Sequence, residues 1–280
     1  MTPPDHKSTM RLAIRHTTRY HFTEPVGYSL QRLRLTPRTS PGQAVLRWEL
    51  EYTGAAEELR YEDQHHNHVT LVSVSEGAQD VAITGHGEVE TRDTGGIIGR
   101  HAGHMPLWSF LRQTSLTQPG PAMLDLAEES RNAADRIAML HELSARVLKQ
   151  VRYTKGTTDT RTTGEEACAA GQGVCQDQAH VFIGIARELG VPARYVSGYL
   201  MMRRPEQDAT HAWAEAFVDG LGWVGFDIAN GISPDERYVR VASARDYRGA
   251  APVLGISYGA VTRDVAVEVL VAQQQEEQQQ

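Results

Sequence analysis

The sequence predicts an α+β protein: an antiparallel β-sandwich over residues 10–95, then a core over residues 126–235 in which a helix carrying a cysteine packs on an antiparallel sheet carrying a histidine and an aspartate. Three observations predict it. Apolar residues alternate with polar ones up to about Glu90, the spacing turns helical beyond residue 130, and three strand-like runs follow Pro192.

In the first half, Leu46, Trp48, Leu50 and Tyr52 fall on one face of a strand and Val45, Arg47, Glu49 and Glu51 on the other. Val69–Val74 and Val81–Thr84 are similar short runs. The stretch "DTGGIIGRHAGHMP" is rich in Gly and His without periodicity, which marks residues 96–125 as a linker. Ile137, Leu140, Ser144, Val147, Leu148 and Val151 then recur at three- and four-residue spacings, the signature of an amphipathic helix. A second helix is predicted to start near Cys175 and to run through Phe182, Ile185, Ala186 and Leu189. It should stop at Gly190, since Pro192 prevents continuation. Strands are expected at Arg194–Met201, His211–Val218 and Trp223–Ile228, the last two joined at "DGLG" as a hairpin. Residues 236–272 read as a strand-rich segment packing on the core. Residues 1–9 and the polar "QQQEEQQQ" of 273–280 read as disordered ends.

Composition narrows the function classes. A net charge of −7 and scattered arginines give no basic field for nucleic acid, so none is expected as a partner. No segment reaches the roughly 18 uninterrupted apolar residues of a membrane span, and "MTPPDHKSTMRL" holds no apolar signal core, so the expected location is the cytoplasm. In that reducing compartment Cys168 and Cys175 are expected as free thiols.

Three residues point to chemistry when taken together. Cys175, in "GQGVCQDQAH", falls at a helix start, where free N–H groups and the positive dipole end favour thiolate over thiol. His211 opens one strand of the predicted hairpin and Asp227 closes the other, so strands about 4.8 Å apart bring carboxylate and imidazole within reach. Nucleophilic acyl chemistry uses this set: a thiolate attacks, an imidazole moves the proton, and a third group orients the imidazole. The backbone N–H of Cys175 is the first candidate oxyanion donor, and the sequence leaves the second open between Gln172 and Tyr153. Trp213 and Glu215 share the face of His211 on an alternating strand and are candidates to border the cleft, as is Trp223.

These residues resemble a family. "GQGVCQDQAHVFIGIARELGVPARYVSGYL" followed by "DATHAWAEAFVDGLGWVGFD" is similar to the transglutaminase-like superfamily across about residues 130–235. "RLAIRHTTRYHFTEPVGYSLQRLRLTP" with "DQHHNHVTLVSV" is similar to the β-rich domain that precedes the core in bacterial members. The resemblance implies a papain-like core with Cys175 as nucleophile, His211 as base and Asp227 as orienting acid, acting on a peptide or protein amide without a cofactor. Members encoded beside ATP-grasp-like proteins suggest that class of partner. The chain departs from the family pattern in two places: Ile228–Ala229 stand where proline and threonine are common, and "ASARDYRGAAPVLG" differs from "GRDYxDxxP" at Ala244 and Gly249.

Rival readings were weighed on the same residues. Cys168, Cys175, His180 and His211 form a zinc-ligand set on paper, but C-x6-C-x4-H lacks the short paired knuckles of structural sites. His65, His66 and His68 beside Asp63 read as a polar turn, His101 and His104 as linker residues, and His180 as structural, so no metal site is expected. Hydrolysis is preferred to acyl transfer, because water needs no built site and no acidic cluster for an amine stands out. A non-catalytic peptide-binding module is the remaining alternative.

Overall fold

A computed structural model describes residues 9–25, 28–130, 135–258 and 262–274. The chain opens with β1 (Thr9–Phe22), β2 (Tyr28–Leu33), β3 (Gln43–Thr53), β4 (Ala55–Glu62), β5 (His68–Val74) and β6 (Asp80–Arg92). After β7 (Ile97–Gly99) and a 3-10 turn at Leu107–Leu111 come α1 (Pro121–Glu128), α2 (Arg136–Gln150), β8 (Arg152–Tyr153), α3 (Gly164–Ala170), β9 (Gln172–Gly173) and α4 (Cys175–Glu188). The remainder is β10 (Ala193–Leu200), β11 (Glu206–Gln207), β12 (His211–Val218), β13 (Gly222–Phe226), β14 (Tyr238–Ala244), α5 (Tyr247–Ala250), β15 (Val253–Tyr258) and β16 (Thr262–Gln273). The α+β class predicted from periodicity is the one observed.

The strands form two sandwich sheets, β11-β16-β1-β6-β3 and β15-β2-β5-β4, and a core sheet, β14-β10-β12-β13-β7. Between the sandwich sheets lie Phe22, Leu33, Leu35, Val72, Val74, Val81 and Ile83, a dry interior of the kind that alternating strands build. One face of β1, its even-numbered residues, does three jobs in sequence. Leu12 and Ile14 pack with Tyr199, Val239 and Val241 of the core sheet, His16, Thr18 and Tyr20 line a cleft, and Phe22 enters the sandwich interior.

On its other face the core sheet takes α4. Ala212, Ala214, Ala216 and Val218 of β12 meet Ala179, Phe182, Ile183 and Ala186 of the helix, in a cluster that also holds Met123, Leu140, Leu143 and Val147. The expected helix pattern fits: Asp135 caps α2 by accepting from Ile137 N–H at 3.2 Å, and Gly190 follows α4 with φ +76°.

Four expectations change. The segment 236–272 is expected to pack on the core, and β14 and α5 do so, but β15 pairs with β2 and β16 with β1, completing both sandwich sheets. The "linker" 96–125 is structured, since β7 adds to the edge of the core sheet. In β3 a bulge between Val45 and Arg47 shifts the register by one residue, so Leu46 is turned out to solvent and Val45 packs inward with Trp48. The tail expected from residue 273 also starts later. Gln273 ends β16 and Gln274 hydrogen-bonds Arg11 O and Glu88, while residues 1–8 and 275–280 lie outside the described residues.

Candidate active site

Cys175 is the first residue of α4, held there by its neighbours. Gly171 ends α3 in the left-handed region at φ +66°, turning the chain into β9, which pairs in parallel with β8. Asp177, buried at the third helical position, accepts from the backbone N–H of Val174 at 2.8 Å and from the Thr158 hydroxyl at 2.7 Å. Gly173 allows this: a Cβ there would lie 2.8 Å from the Cβ of Asp177. The cap fixes the chain immediately before the sulfur.

His211 opens β12 and lies close enough to Cys175 for the thiol to act on its imidazole electrostatically. Its Nε2 lies 2.7 Å from Oδ2 of Asp227, which leaves Nδ1 for the thiol. Asp227, fully buried just beyond β13, also accepts from Asn230 Nδ2 at 2.7 Å and from the Tyr238 hydroxyl at 2.6 Å. Burial alone would raise the Asp227 pKa; these three donors outweigh it and hold the carboxyl below its ordinary value. For His211, burial disfavours the cation, but the bond to Asp227 and the proximity of Cys175 prevail and lift its pKa to about 10. Trp213 stacks behind the imidazole, ring centroids 6.2 Å apart, and fixes its plane.

Cys175 and His211 open into a cleft of about 750 Å³ between the core and the sandwich. Tyr153, Lys155 and Asp208 line one side, Tyr195 and Tyr247 the floor side, and His16, Thr18, Tyr20 and Val267 the sandwich side. Lys155 and Asp208 form an exposed ion pair at 3.0 Å at the cleft edge.

The structure therefore brings Cys175, His211 and Asp227 together and keeps Tyr153 in the cleft. Other candidates lie elsewhere. Gln172 lines a separate hollow with Thr157, Asp159 and Arg161. Glu215 is fully buried between Arg194 and Arg240, at 2.6 and 2.8 Å, four residues along the strand from His211. Trp223 pairs with Phe217, six residues and roughly 20 Å along β12 from the histidine at ~3.3 Å per residue, and packs on Arg194 and Phe110. Strand parity named the correct face for Glu215, but it carries no information on distance along the strand.

His180 is structural, its Nε2 accepting from Tyr247 N–H at 3.1 Å, and Cys168 is buried with its thiol pushed up to about 11. Both cysteines are free, and among the described residues the zinc set Cys168, Cys175, His180 and His211 is not gathered into one cluster. Sequence reasoning missed Asn230 and Tyr238. The first was findable as a polar residue closing the turn three positions after Asp227; the second arrives from another strand and had no local signal.

The family departures explain one another. A Cβ at residue 249 would lie 2.5 Å from the Cβ of Ala244, so alanine at 244 requires glycine at 249. The two changes exchange one side chain for another in the same space.

Comparison with known proteins agrees with this architecture. Residues 124–228 match the transglutaminase-like superfamily model, and residues 12–90 match that of the bacterial transglutaminase-like N-terminal region. The chain belongs to the transglutaminase-like superfamily. An uncharacterized Mycobacterium leprae protein is 31% identical over 92% of this chain and 98% of its own length. A Mycobacterium tuberculosis relative, also uncharacterized, is 29% identical over 89% and 88%. The crystal structure of a candidate cysteine protease from Cytophaga hutchinsonii superposes with a TM-score of 0.76 at 20% identity, covering 96% of this chain and 92% of that one. In the superfamily's terms, its N-terminal domain supplies a cleft wall here.

Proposed function

We propose that this protein is a thiol enzyme that hydrolyses a peptide or glutamine-type amide through a thioacyl intermediate on Cys175. The observation that carries the reading is the chain of contacts Cys175, His211 and Asp227 at the floor of an open cleft, with the His211–Asp227 bond at 2.7 Å. In this reading Cys175 Sγ attacks the carbonyl carbon and His211 holds the thiol proton at Nδ1. That proton passes to the departing amine as the C–N bond breaks. Asp227 keeps the Nε2–H tautomer and offsets the imidazolium charge. The Cys175 N–H at the helix start faces the developing oxyanion, and the Tyr153 hydroxyl is the second donor within the cleft. Water then attacks the thioester with His211 as base and regenerates the thiol.

Hydrolysis is favoured over transfer because the cleft is open to solvent and its one acidic side chain near the mouth, Asp208, is already paired with Lys155. The test is mass spectrometry of glutaminyl peptides incubated with the full chain, with and without a primary amine. Glutamate product that is lost in Cys175→Ala supports the reading. Amine incorporation in place of glutamate would assign transfer instead, and product unchanged in Cys175→Ala would sink both.

A further inference from the structure

Two histidines that the sequence places apart, one in a polar turn and one in the linker, meet. His66, in the β4–β5 turn, and His104, in the segment after β7, have ring centroids 4.8 Å apart, and Glu62 at the end of β4 completes the group. One ligand atom from each of the three side chains lies within 4.8 Å of the other two.

We propose that Glu62, His66 and His104 bind a zinc-class divalent ion that staples the segment after β7 to the sandwich. Two imidazoles and a carboxylate suit a borderline ion. Tetrahedral coordination at 2.0–2.1 Å sets ligands about 3.3 Å apart. His66 Nδ1 and Glu62 Oε1 already stand 3.2 Å apart. His104 closes the remainder by a side-chain rotation, and water fills the fourth position.

The site is built, not incidental. His66 is the one non-glycine among the described residues with a left-handed backbone, at φ +61°, a conformation that is maintained only where its surroundings enforce it. Asp63 enforces it: its carboxylate accepts from the N–H groups of His65 and Asn67 at 2.9 and 3.0 Å and is paired with buried Arg34. Asn67 then ties the turn to Ser243 of β14. Arg38 bonds both the His66 carbonyl and the second oxygen of Glu62, the latter at 2.9 Å, so the carboxylate is oriented from behind. His66 Nε2 is buried without a hydrogen-bond partner and faces Gly103, the residue before His104. His101, by contrast, has both ring nitrogens occupied, by Met105 O and by the Trp223 indole, and takes no part.

The test uses untagged full-length chain carrying Cys175→Ala, so that the active-site thiol and His211 do not compete for metal. Zinc alone is titrated calorimetrically and the melting temperature is followed. Expected is one equivalent per chain, and at a free zinc concentration ten times Kd a rise in Tm of about 3 °C. His104→Ala and Glu62→Gln, both at solvent-accessible positions, should each weaken binding at least tenfold while leaving the metal-free Tm unchanged. Cobalt(II) should show the visible bands of low coordination number. Absence of binding, or zinc affinity unchanged in the His104→Ala, Glu62→Gln double variant, overturns the proposal.

Discussion

Replacing Gly173 by alanine tests whether the cap beneath Cys175 sets the position of the sulfur. The added methyl would meet Asp177 at 2.8 Å, well inside van der Waals contact, while pairing with β8 holds the backbone of Gly173 in place, so Asp177 must move. Its bond to Val174 N–H, 2.8 Å long and one residue before the cysteine, is then lost or stretched. A helix N-terminal cap contributes about 0.5–2 kcal/mol. At ~1.4 kcal/mol per factor of ten, loss of the bond lowers the ratio of ordered to disordered turn by up to roughly tenfold. The assay is the rate of iodoacetamide labelling by peptide mass spectrometry, with buried Cys168 as the internal reference, together with turnover. In Gly173→Ala, labelling of Cys175 should fall about tenfold with Tm lowered by about 3–5 °C, and Asp177→Asn, which keeps an acceptor in place, should fall less. Labelling and turnover equal to wild type in Gly173→Ala would refute the argument that this cap positions the nucleophile.

Other expectations follow from the same contacts. Cys175→Ala should abolish turnover with Tm retained, whereas Cys168→Ala should keep turnover, and Asp227→Asn should lose less activity than His211→Ala, all read in one peptide assay. Glu215→Gln leaves Arg194 and Arg240 short of a buried counter-charge and should destabilise by about 3–5 kcal/mol in urea unfolding. Gly249→Ala should cost about 1–3 kcal/mol by overpacking against Ala244, and Ala244→Gly in the same chain should restore most of it. Stability should peak near neutrality. His16, His65 and His180, each held down at about 4 by burial, contribute fully above their ordinary pKa of 6.5 and lose that contribution as pH falls towards 4. His211 does the opposite: its contribution is full below 6.5 and is lost as pH rises towards about 10. Urea midpoints from pH 4 to 10 check this, and a monotonic profile would contradict it.

The site was legible where chemistry sits at the ends of local elements. Cys175 at a helix start, His211 opening a strand and Asp227 closing its hairpin partner are each fixed within a few residues of sequence. What parity and spacing do not encode is partnership across the fold. Glu215 was indistinguishable from a cleft residue until Arg194 and Arg240 arrived from neighbouring strands, and Tyr238 reached Asp227 from β14 without any local mark. The bulge at Leu46 exchanged the faces of the few residues before it, because one extra residue shifts the alternation. The departures at Ala244 and Gly249 looked independent in sequence and became one event only when the two backbones met.

The pairing of β16 with β1 bears on when the cleft is completed during synthesis. Leu12 lies opposite Gln273, so β1 waits for β16. At about 5–20 residues per second, that interval exceeds ten seconds. Through it the helices and core sheet emerge complete with their thiol while the wall carrying Val265 and Val267 is still unmade. A nascent chain would thus hold Cys175 in an unfinished cleft until β16 is translated. High contact order, usually counted only as a brake on folding, here also sets when this cleft wall is completed.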